Sequence, residues 1–259
     1  MSRDYAYDAA PSRTRMGAAE ALARGIPAEL TTFVQKTYGL LAFSLILGAA
    51  ACWGMLQVMP TATVATRQGP VTVPAFPMWG LFLLWGAMLG FSLLGSFAKA
   101  GARQGEVSVL GLVALVGMVL ASGAMLAPTI GIYIGLGMAS TVAMAAVVTA
   151  VTFSALTAVV FLTGKNFSFL GGMLLVGAIA LAAAGLLNFF FMHSAGFQWW
   201  YCAVGAILMC GFILFDTSSV VHFYGPNNLV VPAVIALYLD IFNLFVFLLQ
   251  ILGSSRQRS

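Results

Sequence analysis

The sequence predicts an all-α integral membrane protein with seven transmembrane helices. Of its 259 residues, 61% are hydrophobic and only 7% are Asp, Glu, Lys or Arg, against roughly 25% charged residues in an ordinary soluble domain. The apolar residues form long unbroken runs, whereas the strands of a membrane β-barrel alternate apolar and polar residues over about ten positions. Because every backbone amide must be hydrogen bonded inside hydrocarbon, these runs are predicted to be helices.

The length of the apolar runs fixes the number of spans. A spanning helix needs about 20 residues, because the hydrocarbon is about 30 Å thick and each residue rises about 1.5 Å. The interval between Glu106 and Lys165 contains no charged residue and is too long for one helix. It is therefore divided at Pro128, which is followed by Gly131, Gly135 and Gly137. The seven predicted spans are residues 33–58, 78–98, 107–127, 135–162, 168–191, 199–221 and 229–252.

The chain is predicted to have three parts and a cytoplasmic N-terminus. Residues 1–32 form a polar cytoplasmic tail, residues 33–253 the seven-helix domain, and residues 254–259 a short C-terminal tail. Basic residues near span ends are retained in the cytoplasm, and this orientation places eight of them inside and three outside. The eight are Arg3, Arg13, Arg15, Arg24, Lys36, Lys99, Arg103 and Lys165; the three are Arg67, Arg256 and Arg258. A last segment that re-entered the membrane instead of crossing it would make the ratio ten to one, so that alternative stays open.

Nothing in the sequence indicates nucleic-acid binding or catalysis. The net charge of +4 follows from the basic residues at the span ends. Cys52, Cys202 and Cys210 lie in apolar spans without a Cys-x-x-Cys pair, which argues against a disulfide framework or a zinc site. Catalytic motifs such as Gly-x-Ser-x-Gly and His-Glu-x-x-His are missing. We therefore expect neither enzymatic activity nor a tightly bound cofactor.

Two acidic residues, Asp216 and Asp240, lie within predicted spans. A charged side chain at the membrane centre costs about 2.5 to 3.5 kcal/mol on insertion scales, so such residues are rare and usually mark ion or proton pathways. The alternative is an aspartate that only links two helices by hydrogen bonds. Because spans six and seven are antiparallel and joined by a short loop, both acids are expected at one depth in the cytoplasmic half.

The pair is predicted to respond to pH and to attract calcium. Two carboxylates in one desolvated site cannot both ionise at low cost, so we expect Asp216 and Asp240 to titrate as a coupled pair that shares one proton. When ionised they present the oxygen ligands that Ca²⁺ prefers, and Asn243, one helical turn from Asp240, is a candidate helper. A tight calcium site needs about six to eight oxygens, so only weak or transient occupancy is expected here.

The residues around both acids resemble a known family signature. Phe-Ile-Leu-Phe-Asp-Thr at 212–217 and Ala-Leu-Tyr-Leu-Asp-Ile-Phe-Asn-Leu-Phe at 236–245 resemble the C-terminal signature of the Bax inhibitor-1 family, also called the transmembrane Bax inhibitor motif family. Lys-Asn-Phe-Ser-Phe-Leu-Gly-Gly-Met-Leu at 165–174 is similar to the bacterial members. The resemblance extends over essentially all seven spans.

The resemblance implies a central last helix and a pH-sensitive calcium leak channel. In that family the aspartates that match Asp216 and Asp240 form a sensor that gates the pore, with calcium as the permeant ion. A basic residue near the end of the second span latches the closed pair, and Lys99 is the nearest candidate, ahead of Arg103. Lysine offers a point charge where arginine offers a planar fork, and the alternative is that Lys99 is an ordinary topology charge.

The resemblance also implies a second function from another class. Bacterial members are described as binding partners and modulators of the membrane AAA protease FtsH, with the N-terminal tail as the handle. That role would not require a conducting pore. The expected partners are therefore the lipid bilayer and calcium ions, with the FtsH protease complex as a partner if the second function applies. The expected location is a bacterial inner membrane.

Overall fold

The protein folds into seven α-helices and one β-hairpin in a computed structural model, which describes residues 28–66, 69–97, 108–188, 190 and 195–256. The helices are α1 (Ala28–Val58), α2 (Met78–Phe97), α3 (Val109–Gly135), α4 (Ala139–Thr163), α5 (Gly171–Leu187), α6 (Ala195–Ser219) and α7 (Val230–Arg256). Seven helical segments of this part of the chain are long and apolar enough to cross a membrane. The predicted fold class is confirmed.

Several helix ends differ from the sequence prediction by a turn or more. The first helix begins at Ala28, inside the expected tail, and α7 continues to Arg256, past the expected boundary at residue 253. A short 3₁₀ turn (Ser168–Leu170) precedes α5, and a wide π-helical turn (Val220–Tyr224) extends α6. That wide turn shortens the loop between α6 and α7, which was expected to begin at His222.

The predicted chain break at Pro128 is wrong. Pro128 lies inside α3, which continues to Gly135. Proline removes one backbone donor, but membrane helices tolerate the loss because neighbouring groups and local adjustments compensate for it. The chain reverses later, where Gly137 has a φ of +73°, a conformation that glycine adopts without a steric penalty.

A β-hairpin that the sequence analysis did not predict joins α1 to α2. Its strands, β1 (Thr61–Thr66) and β2 (Gly69–Pro74), pair antiparallel with Thr61 opposite Pro74. The hairpin packs against the end of α3, where a Cβ atom on Gly135 would lie 2.5 Å from the Thr72 carbonyl oxygen. A glycine is therefore needed there for the two elements to approach. We call this end of the bundle the hairpin side.

The last helix occupies the centre of the bundle. In its most apolar stretch 67% of the residues are buried, against 6% to 44% in the other six spans. It packs chiefly against α6, α4 and α1, while α5 packs mainly against α6. With 27 residues and no break, α7 is about 40 Å long, which favours a full crossing over a re-entrant hairpin. The expectation of a central last helix is confirmed.

Candidate functional site: a buried aspartate pair

The structure brings the two predicted acids together inside the bundle. Asp216 lies three residues before the end of α6, and Asp240 lies ten residues after the start of α7. The two helices run antiparallel, so these positions meet at one depth. Both side chains are buried, with exposed fractions of 8% and 5%, and their carboxyl groups lie close enough to interact.

The contact between two carboxyl groups has a direct chemical consequence. A carboxylate has no hydrogen to donate, so a hydrogen bond between Asp216 and Asp240 requires a proton on one of them. In addition, Oδ2 of Asp240 is buried and has no hydrogen-bond partner within the described residues. A buried acceptor without a partner is destabilising, so this oxygen is available to a proton or a cation.

Hydroxyl groups lie close to the acid pair and to Thr217, the residue that follows Asp216. The Tyr38 hydroxyl of α1 lies beside those of Thr157 in α4 and Thr217 in α6, yet none of the three forms a well-aligned hydrogen bond. Thr217 follows Asp216 directly and is completely buried. Tyr224, in the π-helical turn, lies near both acids. Uncharged hydroxyl groups therefore lie next to the acid pair and to Thr217.

Of the accessory residues expected from the sequence, the structure places only Asn243. Asn243 is half-buried one turn beyond Asp240, and its side chain forms no hydrogen bond with either acid. Lys99 and Arg103, the candidates for the latch, lie outside the described residues. Within the described residues no group of three or more His, Cys, Asp or Glu side chains is arranged to hold a metal. Two carboxyl groups supply fewer than the about six to eight oxygens of a tight calcium site.

The loop between α4 and α5 positions the end of α6, a role that the sequence analysis did not assign. The backbone N–H of Phe167 donates to Ser218 Oγ at 2.9 Å, and Ser218 Oγ lies 3.5 Å from Asn166 Oδ1. At the start of α5, a Cβ atom on Gly171 would lie 2.8 Å from the ring of Phe215. The 165–174 segment thus contacts residues on both sides of Asp216.

A second polar cluster, which sequence reasoning missed, lies near the other end of α6. Gln198 Nε2 donates to Gln250 Oε1 of α7 at 2.6 Å, and Asn188 Nδ2, just beyond α5, donates to Gln198 Oε1 at 3.0 Å. Cys202 Sγ lies 3.4 Å from the same Gln250 oxygen. Amides within apolar spans commonly bond neighbouring helices, and this signal was present in the sequence.

These features define a multi-pass helical membrane protein whose central helix carries half of a buried acid pair. The family model for "Inhibitor of apoptosis-promoting Bax1" matches residues 30–257 of this chain. The chain therefore belongs to the Bax inhibitor-1 family, as the residues around Asp216 and Asp240 suggested.

Individual relatives match a part of the chain. "Modulator of FtsH protease YccA" from Escherichia coli K12 is 36% identical over 126 residues, which cover 49% of this chain and 56% of that protein. "Inner membrane protein YccA" from E. coli O6:H1 matches to the same extent. "Bax inhibitor 1" from Schizosaccharomyces pombe is 37% identical over 125 residues, covering 48% of this chain and 47% of that protein. The chain spans about half the length of these curated relatives. One of them is named as a modulator of a protease and one as an inhibitor.

Proposed function

We propose that this protein is a pH-gated calcium leak channel in which Asp216 and Asp240 form the gate. The observation that carries the proposal is the contact between two buried carboxyl groups, one on the central helix and one on its neighbour. Acids at this depth are rare and usually belong to ion or proton pathways. The unpartnered Oδ2 atom of Asp240 adds an oxygen that a permeating cation can contact.

The proposed gate changes its charge with pH. When the two acids share a proton, the pair carries one negative charge instead of two. When both are ionised, the adjacent negative charges repel each other and attract a cation, and Lys99, which follows α2 in the chain, serves as that cation in the closed state. Protonation lowers the negative charge that holds Lys99, so the leak increases as the pH falls.

Calcium influx into proteoliposomes tests conduction directly. A calcium-sensitive dye is enclosed in vesicles that contain the purified wild-type protein, Asp216→Asn or Asp240→Asn. Ser44→Ala is the matched control, because Ser44 is buried but bonds only within α1, to the Leu40 carbonyl oxygen. We expect calcium influx with wild type and the control, and a rate of influx that differs from that of wild type with both aspartate variants. Influx with wild type no faster than into protein-free vesicles would refute the proposal.

A second candidate function is modulation of the FtsH protease. It is favoured by the relative whose name is "Modulator of FtsH protease YccA", and we propose that the polar N-terminal tail of this chain is the segment that docks on the protease. This role needs no conduction, so the Asp216→Asn variant would retain it.

A pull-down from bacterial membranes separates the two functions. FtsH is assayed by antibody after capture of the full chain, of a variant that lacks residues 2–27, and of Asp216→Asn. Modulation through the tail predicts FtsH with the first and third baits and none with the second. Equal recovery with and without the tail, or no FtsH with the full chain, would contradict it.

We further propose that the protein lies in a bacterial inner membrane with its N-terminus in the cytoplasm. One relative carries the name "Inner membrane protein YccA". In the described part of the chain, Lys36 and Lys165 lie at the end of the bundle where α1 begins, and positive charge there favours retention inside. A fluorescent protein fused to the N-terminus should fold and fluoresce, and alkaline phosphatase fused to the C-terminus should be active. The opposite pattern would reverse the assignment.

A further inference from the structure

A cleft of about 560 Å³ opens on one side of the bundle. One wall is residues 45–56 of α1, the other is residues 146–154 of α4, and the floor is residues 123–134 of α3 and 238–245 of α7. We call it the lateral cleft. Its volume falls within the range of about 300 to 1,000 Å³ that is typical of ligand sites.

The lateral cleft exists because α1 and α4 have different partners. The first helix packs chiefly on α3 and α7, and the fourth chiefly on α7 and α6. The two meet at Tyr38, whose ring centroid lies 6.4 Å from that of Phe153 and 6.0 Å from that of Phe161. Beyond this contact, small residues such as Gly48 and Ala150 face the cleft and leave it wide.

The chemistry of the lateral cleft excludes charged and strongly polar ligands. No charged side chain lines it. The Tyr238 hydroxyl in its floor is already bonded to Ser122 at 2.7 Å, and the Thr149 hydroxyl donates to the Ala145 carbonyl oxygen at 2.7 Å. A ligand would therefore be held by apolar contacts, which a close-fitting chain of methylene groups supplies along its whole length.

The depth of the lateral cleft matches one leaflet of a bilayer. Residues 45–56 of α1 extend over about 16 Å, roughly half of the about 30 Å hydrocarbon thickness. The cleft runs from the middle of the bundle to the hairpin side, where α1 and α3 end. Its rim is continuous with outward-facing apolar residues such as Trp53, which is 66% exposed.

We infer that the lateral cleft binds one acyl chain of a membrane phospholipid, drawn from the leaflet on the hairpin side. The cleft opens sideways at hydrocarbon depth, where acyl chains are the surrounding solvent. Binding there is independent of calcium conduction, although Ile241 and Phe242 in the floor directly follow Asp240. The protein would therefore carry a bound lipid beside its central helix.

Spin-labelled phosphatidylcholine tests the inference in proteoliposomes. With a nitroxide near the end of the acyl chain, a tightly held lipid gives a motionally restricted component in the electron paramagnetic resonance spectrum. Ala150→Phe fills the cleft from the α4 wall, and Ala49→Phe fills it from the α1 wall. Their matched controls are Val151→Phe and Ala50→Phe, which add a ring at the next residue, exposed and outside the cleft.

The expected result is a restricted component in wild type and both controls that is at least halved in both filling variants. Native mass spectrometry in detergent should show one phospholipid retained per chain in wild type and in the controls, and less phospholipid in the filling variants. Circular dichroism verifies that each variant is folded, and two walls are used so that one misfolded variant does not decide the outcome. An equal restricted component in all five proteins would overturn the inference. So would a filling variant that converts a wild-type dimer into monomers, since a second copy would then occupy the cleft.

Discussion

The hydroxyl groups of Tyr238 and Ser122 lie 2.7 Å apart in the centre of the bundle. Ser122 donates its own hydrogen to the Val119 carbonyl oxygen, so Tyr238 is the donor of the shared bond. A Cβ atom on Gly48 of α1 would lie 2.6 Å from the same Tyr238 oxygen. Helices α1, α3 and α7 therefore meet at Tyr238, two residues before Asp240. This contact fixes the position of Asp240 relative to the neighbouring helices.

The crowding at Gly48 predicts a specific rescue. Gly48→Ala should destabilise the protein by about 1 to 3 kcal/mol, as overpacking does, because its methyl group meets the bonded Tyr238 hydroxyl. In a Tyr238→Phe background that hydroxyl is gone, and the cost should fall. Unfolding in detergent measures each step. Gly54→Ala, in open space on the same helix, should cost nothing, and an equal cost at Gly48 in both backgrounds would contradict the assignment.

The Gln198 and Gln250 side chains should contribute jointly to the attachment of α6 to α7. Either residue changed to Leu leaves the other amide without its 2.6 Å hydrogen bond, and we expect a loss of about 1 to 2 kcal/mol in unfolding free energy. The double variant should lose less than the sum of the two single changes. Gln35→Leu, at an exposed position of α1, is the control and should lose nothing. Strict additivity would show that the two amides act separately.

The loop that supports Asp216 should loosen when Ser218 is changed. Ser218→Ala removes the acceptor of the Phe167 N–H, and the loss of about 1 kcal/mol should speed exchange of that amide roughly fivefold. Hydrogen–deuterium exchange, measured by mass spectrometry on the peptide that contains Phe167, tests this prediction. Ser219→Ala removes only a bond within α6, to the Phe215 carbonyl oxygen, and should leave the exchange of Phe167 unchanged. Equal exchange of the Phe167 amide in the two variants would argue against a supporting role for Ser218.

The proposed latch predicts different results for two neighbouring basic residues. Lys99→Gln should raise calcium influx at about pH 8 to the level that wild type reaches at about pH 6, because no cation then holds the ionised pair. Arg103→Gln, four residues further along the chain, should behave as wild type. Calcium influx into vesicles, measured in parallel for the two variants and wild type, tests this prediction. If Arg103→Gln alone opened the channel, the latch would be Arg103.

The sequence predicts the architecture well where composition alone decides it. Seven apolar runs give seven helices, and the short connection between the last two brings Asp216 and Asp240 to one depth. Pro128 misled the division of α3 from α4, because a proline that breaks a helix in water is tolerated inside a membrane bundle. The β-hairpin was missed because six-residue strands leave too short a pattern between two long helices.

Side-chain partnerships were harder to predict than helices. The contacts of Gln198 with Gln250, and of Ser218 with Phe167, join positions about 50 residues apart, and no local pattern encodes such distances. The acids stood out because a charge in an apolar span is rare, whereas an uncharged amide attracts less attention. The role of Lys99 stays a prediction, since that residue lies outside the described part of the chain.

The pH dependence of calcium influx tests the central claim most directly. Wild type, Asp216→Asn, Asp240→Asn and the Ser44→Ala control are compared in proteoliposomes from about pH 6 to 8, with equal pH inside and outside. If the two acids form one proton-sharing gate, influx with wild type and the control rises as the pH falls, and either aspartate variant loses or displaces this dependence. A wild-type influx that ignores pH, or the same pH dependence in both aspartate variants, would contradict the claim.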